Sequence, residues 1–559
     1  MCKTDRSRTF LPLVWYGVMG FLLLGYILLP FVRTVLEALR AGDGYGLLNF
    51  HEFFSNPNQW TVAKNTILLG VSMVVTCGAI GILLALYMTF LCGRFKKLIH
   101  ILLLSPMMVP GVITVIAFIQ LYGESGVVTK AIQYALQLPS APFVFQGYGA
   151  ILFVITYTQY VYFYLNVYVA LKYMDYAAIE AARSLGASWL QIFRDVIWPV
   201  IRPAVFTSVI ITFASGVSAF SAPNLIGGGF KVLSTQIVRS KANNHMEMAS
   251  VQVVVLFAIS VTVMLLVRFY SRRFGSIAAD RSQPAVPEGM RRGWLAVLGR
   301  IVVLIQILLI LLPIAAIIYL SFISTSSIMQ DIFPHSFTLE NYLTIFRKKR
   351  VLKPLINSLQ MSVMAVAAGL VLTVPSAYLI VRRGGRAEGI LRFALMLPSA
   401  MPASLVAINL INAFNQKSLF AFGQVLIGGY YIIPIAYVIT ALPMLLSSNE
   451  VAIQGLHPNL EEASRSLGAD MGNTFARIIL PNIAPGIMAG GILIFIRMIG
   501  EYTMSALLYG VHNRPISISI ITNMQEYNVG ISLAYGVIVI LICYLSLALI
   551  FRLDDRRFL

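Results

Sequence analysis

The sequence is short of charge, cysteine and histidine, and each shortage excludes something. Only 11% of its 559 residues are Asp, Glu, Lys or Arg, against about a quarter in soluble domains. That is too little charge to clothe a water-exposed globule. The four cysteines, Cys2, Cys77, Cys92 and Cys543, lie far apart, so they form neither a disulfide framework nor a zinc spacing. The six histidines are scattered, with no HExxH among them, so no metal site is expected. No Gly-Lys pair occurs anywhere, which rules out a Walker A loop for ATP phosphates. Basic runs carry no interleaved aromatics, so the net charge of +19 does not read as nucleic-acid binding.

Long apolar runs are abundant instead. Hydrophobic residues make up 58% of the chain and its mean hydropathy is +0.82. Runs of 20 or more residues recur, each enough to cross about 30 Å of hydrocarbon. A helix satisfies its own backbone within lipid, so the fold class is an all-α polytopic membrane protein. The N-terminal stretch "MCKTDRSRTFLPLVWYGVMGFLLLGYILLPFV" has too long an apolar run for a secretory leader and reads as an uncleaved first span. Hydropathy places six spans near 10–33, 66–91, 98–121, 149–171, 203–225 and 250–270. Six more lie near 295–321, 357–381, 390–414, 423–445, 484–508 and 531–551.

Between the sets, Ser271–Gly293 is charged and contains Pro and Gly, as a linker does. The domain reading is a first half at 1–270, a linker at 271–293 and a second half at 294–559. Lys and Arg gather before span one, after spans two, six, eight and twelve, and in the linker. In a twelve-span arrangement these places share one face, the cytoplasm, with both termini. One basic run, Arg347–Arg350, falls on the other face.

Six spans per half give both halves the same orientation, a parallel duplication. Asn65, Pro106 and Pro110 recur 292 positions later as Asn357, Pro398 and Pro402. "EAARSLGASWLQIFRDVIWPVIRP" (Glu180–Pro203) recurs 282 positions later within "EEASRSLGADMGNTFARIILPNIAP" (Glu461–Pro485). Each copy follows the fourth span of its half. Each reads as a short helix, a bend at Gly186 or Gly468, and a second helix with an apolar stripe. Pro199 and Pro203 are expected to stop that helix and start the next span. An amphipathic helix resting on the bilayer explains one such segment; two equivalent knobs on one face imply two equivalent partners.

These residues resemble the EAA loops of permease subunits of bacterial ABC importers. Over nearly the whole chain the sequence resembles the fused permeases of the ferric-iron type. The resemblance implies two parallel six-helix halves with the type I ABC importer transmembrane fold, in the bacterial cytoplasmic (inner) membrane. It implies EAA loops at 180–203 and 462–485, and docking of one ATPase subunit by Glu180, Ala181, Ala182, Gly186 and Ala187. A second ATPase would dock at Glu462, Ala463, Gly468 and Ala469; Ser464 stands where the first copy has Ala182. ATP and magnesium would sit on those partners, with no cofactor and no catalysis in this chain. A substrate-binding protein would meet the outer face, and the fused chain would replace a permease dimer. Ferric iron is the expected cargo, with phosphonate, thiamine and polyamine as alternatives. An ion-driven secondary transporter is the competing class, and it leaves the doubled knob unexplained.

Polar residues within spans are costly and mark candidate translocation paths. Arg497 and Glu501 are expected to pair across one helical turn of span eleven. Span five carries Ser215, Ser218 and Ser221, and span four carries Tyr157 and Gln159 beside Tyr160.

Overall fold

A computed structural model describes residues 5–42, 44–92, 95–172, 174–272, 294–331 and 333–554. The linker expected at 271–293 therefore lies outside the described residues from 273 onward. Among the described residues, eleven helices are long and apolar enough to cross a bilayer, and a bent pair makes a twelfth. Spans one to six run Leu13–Ala38, Pro57–Leu91, Gly111–Ala135, Tyr148–Lys172, Trp189–Ile226 and Met246–Tyr270. Spans seven and eight are Val297–Ser321 and Lys349–Arg383, and ten to twelve are Ile432–Gln454, Gly472–Ile499 and Val529–Ile550. Span nine is the bent pair, Arg386–Ala400 and Ala403–Phe414, which meet at 108°.

The bend has a local cause. Pro398 sits in the 3₁₀ turn Leu397–Ala400, and Pro402 is the N-cap of the following helix. Neither can donate a backbone hydrogen bond, so the ladder breaks there. Pro106 and Pro110 do the same in the first half, between Lys96–Leu104 and Gly111–Tyr122. Span ten begins nine residues later than hydropathy places it. The apolar stretch before it contains Gly423 and Gly428 at φ +76° and +82°, a left-handed backbone that no helix contains.

The chain divides into two compact units, and these are not the two linear halves. One comprises residues 56–236 and 255–338; the other comprises 1–55, 237–254 and 339–559. Span one thus packs with the second half's helices: Trp15 donates its indole N–H to Ser376 Oγ at 3.1 Å, Tyr16 its hydroxyl to Glu388 Oε1 at 2.5 Å, and Arg33 a guanidinium N–H to the Ala413 carbonyl at 3.0 Å. Trp15 is therefore engaged by a neighbouring helix, beyond the anchoring role its position suggests. Span seven packs with the first half's helices, where Tyr157 donates to the Ile310 carbonyl at 3.1 Å.

Lipid tails are as apolar as leucine, so close packing and hydrogen bonds hold such helices together. Within the first unit, a Cβ on Gly81 would come within 2.8 Å of the Tyr160 carbonyl. The duplication is visible in single bonds. Asn65 donates to the Lys231 carbonyl and Asn357 to the Arg514 carbonyl, both at 3.0 Å. Thr66 Oγ1 accepts from the Leu233 amide at 2.9 Å, and Ser358 Oγ from the Ile516 amide at 2.8 Å.

Candidate functional site

The repeated loops fold alike. In the first, the eight-residue helix Ala177–Ser184 has Glu180 in its first turn and Arg183 in its last, each sign where the helix dipole favours it. It ends in a Schellman turn. The Ala187 amide donates to the Ala182 carbonyl at 3.0 Å, the Gly186 amide to the Arg183 carbonyl at 2.9 Å, and Gly186 has φ +80°. In the second, Asn459–Ser466 ends with Ala469 to Ser464 at 3.1 Å, Gly468 to Arg465 at 2.9 Å, and φ +81° at Gly468. The left-handed backbone explains why glycine stands at both bends.

The second helix of each loop is capped, by Ser188 in a capping box with Gln191 and by the Asp470 carboxylate on the Asn473 amide. It is not stopped by its prolines. Trp189–Ile192 continues through a π-turn, Phe193–Ile197, into the helix Trp198–Val217, and Phe475–Ile479 does the same ahead of Leu480–Ile499. The wider π ring has the Trp198 amide donate to the Phe193 carbonyl. It lets the helix carry Pro199 and Pro203, or Pro481 and Pro485, without ending. Each loop is therefore joined to its span by one continuous helix.

Glu180, Ala181 and Gly186 are exposed, as are Glu462, Ala463 and Gly468; Ala182, Ala187 and Ala469 are half-buried. Between them stand the two leucines of the turns, Leu185 and Leu467, each 88% exposed. The first loop adds exposed Trp189 and Leu190, with the Arg183 guanidinium 5.6 Å from the Trp189 ring centre.

Beneath the exposed surfaces the loops differ. Ile179 is fully buried under the first, near the edge-to-face pair of Phe90 and Tyr176. The matching residue under the second is Glu461, only 4% exposed. Arg382 donates from Nε to Glu461 Oε1 at 2.7 Å, Tyr378 donates its hydroxyl to Oε2 at 2.9 Å, and Arg465 lies 3.5 Å from Oε2. The same Arg382 donates to the Leu456 carbonyl at 2.9 Å, at the end of span ten. Sequence reasoning passed over Glu461 and Arg382. The signal was there: positions 90 and 382 correspond, as do 179 and 461, and both members of the pair change from apolar to charged between copies.

The polar residues of spans four and five belong to one compact unit and those of span eleven to the other. Ser215 donates to Gln159 Oε1 at 2.9 Å. Ser218 caps the end of span five's long helix, and Ser221 opens the short helix Ser221–Ile226. Tyr157 is buried, with its hydroxyl committed to span seven. The expected Arg497–Glu501 pair does not form, because the helix ends at Ile499. The Glu501 carboxylate instead accepts from the Met504 and Ser505 amides at 2.9 and 3.0 Å, capping Thr503–Leu508. Arg497 is exposed.

The family described as the inner-membrane component of binding-protein-dependent transport systems matches twice, at residues 78–276 and 354–558. The chain belongs to this ABC importer permease family. A probable ABC transporter permease of Sinorhizobium fredii, y4fN, is 30% identical over 98% of this permease and 96% of its own length. The ferric transport system permease FbpB of Actinobacillus pleuropneumoniae is 23% identical over 92% of this chain and 74% of its own. A spermidine/putrescine permease PotC homolog of Mycoplasma genitalium is 31% identical over 35% of this permease and 68% of its own length. The fold class follows: a helical inner-membrane permease built from a duplicated unit. It is a transport subunit, not an enzyme, and the family implies an ATPase and a substrate-binding protein as its partners.

Proposed function

We propose that this permease imports ferric iron, and that its two loops dock two ATPase subunits on the cytoplasmic side. The observation that carries the docking is the pair of glycine-bent knobs with Leu185 and Leu467 bared to solvent. Exposed apolar side chains rimmed by Glu180, Arg183, Glu462 and Arg465 suit burial against a partner. The continuous helices at Phe193–Ile197 and Phe475–Ile479 suit the loops to pass ATPase closure into spans five and eleven, and so to alternate access to the path. In this reading both termini are cytoplasmic, residues 1–270 and 294–559 are the two permease halves, and the fused chain serves as the whole permease. Ser215 with Gln159, Ser218, Ser221, Arg497 and Glu501 are the path candidates; Tyr157 is a weaker one because its hydroxyl is already bonded.

Iron is the proposed cargo because a relative named for ferric transport matches 92% of this chain. The test is the assembled complex in liposomes. Its ATPase rate should rise with an iron-loaded binding protein and stay at baseline with proteins loaded with polyamine, thiamine or phosphonate. Stimulation by one of those alone overturns the iron assignment. Gentle solubilisation and cross-linking from Arg183 and Arg465 should each recover an ATPase subunit; recovery from neither overturns the docking.

A further inference from the structure

We infer that Glu461 and Arg382 form a positioning latch that sets the angle of the second loop, and that the first loop, with Phe90 and Ile179 at the matching positions, is seated by apolar packing instead. The inference rests on the docking reading above. Its basis is the position of Arg382, whose guanidinium holds three elements at once. It lies near the end of span eight, it donates to Glu461 of the loop helix, and it donates to the Leu456 carbonyl after span ten. Tyr378, one helical turn earlier, fills the second oxygen of Glu461. The carboxylate is thereby gripped from two directions, which fixes both the depth and the rotation of Asn459–Ser466.

The first half solves the same joint with surface area. Phe90, Tyr176 and Ile179 belong to the apolar core there, and the Tyr176 hydroxyl makes a long bond to the Leu171 carbonyl at 3.5 Å. Apolar packing lacks direction and tolerates small rotations. A buried ion pair with satisfied hydrogen bonds does not, because tilting it strands a charge away from water. A joint of this kind adds little net stability compared with a well-packed apolar one. Its distinguishing property is a single allowed geometry. The second loop is therefore the stiff lever and the first the compliant one, although their glycine turns are nearly the same.

The experiment uses the full complex, with a photo-reactive side chain placed at Leu185 or at Leu467. Glu461→Gln and Arg382→Met should each lower ATPase cross-linking from position 467 by about tenfold or more, because removing one partner of a buried pair leaves the other uncompensated. Cross-linking from position 185 should be unchanged. ATP hydrolysed per cargo imported should rise, which a general loss of folding would not produce. The double variant Arg382→Phe with Glu461→Ile copies the first half and should restore the cross-link at 467 and insertion to within about twofold, since removing both charges together leaves none stranded. Wild-type cross-linking in Glu461→Gln overturns the latch. So does an equal fall at 185 and 467 that the double variant fails to rescue. A wild-type complex that cross-links at neither position overturns the docking reading itself.

Discussion

The two loops present one face to their surroundings and two different undersides to the protein. Outside, bend angle, turn hydrogen bonds and the exposed leucine agree between copies. Inside, three contacts change character together. Phe90 with Ile179 becomes Arg382 with Glu461. His100, against the rings of Tyr164 and Tyr168, becomes Arg392, which meets Glu450 at 2.9 Å. Ala182 and Ile192, packed on the apolar core, become Ser464 and Thr474, joined through their hydroxyls at 2.9 Å. In the docking proposed for the loops, a partner's surface constrains the outer face of each one. The inner face has to satisfy only its own neighbours, so the copies have diverged there, in matched pairs that keep every buried charge accompanied.

That comparison can be broken where the copies agree and sharpened where they differ. The largest effect belongs to the shared bend. Proline cannot reach φ near +80°, so Gly186→Pro and Gly468→Pro should each abolish uptake while membrane insertion, followed by surface labelling, persists; full uptake in either would undo the equivalence of the two turns. Next comes the charged contact of the second half. Arg392→Met leaves Glu450, 4% exposed and with Oε1 already unpartnered, as a stranded carboxylate, which should cost about 3 kcal/mol. The matching change, His100→Phe, gives up one hydrogen bond to Tyr164 and should cost about 1 kcal/mol. Thermal unfolding of the solubilised protein compares them, and equal shifts would erase the asymmetry. The smallest effect is expected for Ser464→Ala, about 0.5 kcal/mol, because Thr474 keeps its bond to the Asp470 carbonyl.

The same distinction explains what could be read without a structure. Spans, duplication and the two bends follow from chemistry that repeats along the chain: apolar length, a constant offset, a glycine where φ must be positive. Pro106, Pro110, Pro398 and Pro402 stood out as landmarks, but a prolines' spacing does not say how sharply a chain turns, so span nine looked straight. Hydropathy cannot separate an apolar loop from an apolar helix, which is why it places the start of span ten before Ile432. Glu501 lies four residues beyond Arg497, yet Gly500 ends the helix between them and frees the carboxylate to cap the next one. The latch escaped because its members are 79 residues apart and only the comparison of the two copies brings them together.

The bonds of span one reach far along the chain: Trp15 to Ser376 and Tyr16 to Glu388 span 361 and 372 residues. During synthesis the first helix enters the bilayer hundreds of residues before its partners exist. Until they are made, Tyr16, Arg33 and Thr34 lack the partners that Glu388, the Ala413 carbonyl and Asn412 provide. A chain that stops within the linker would leave its leading helix without the partners that the second half supplies.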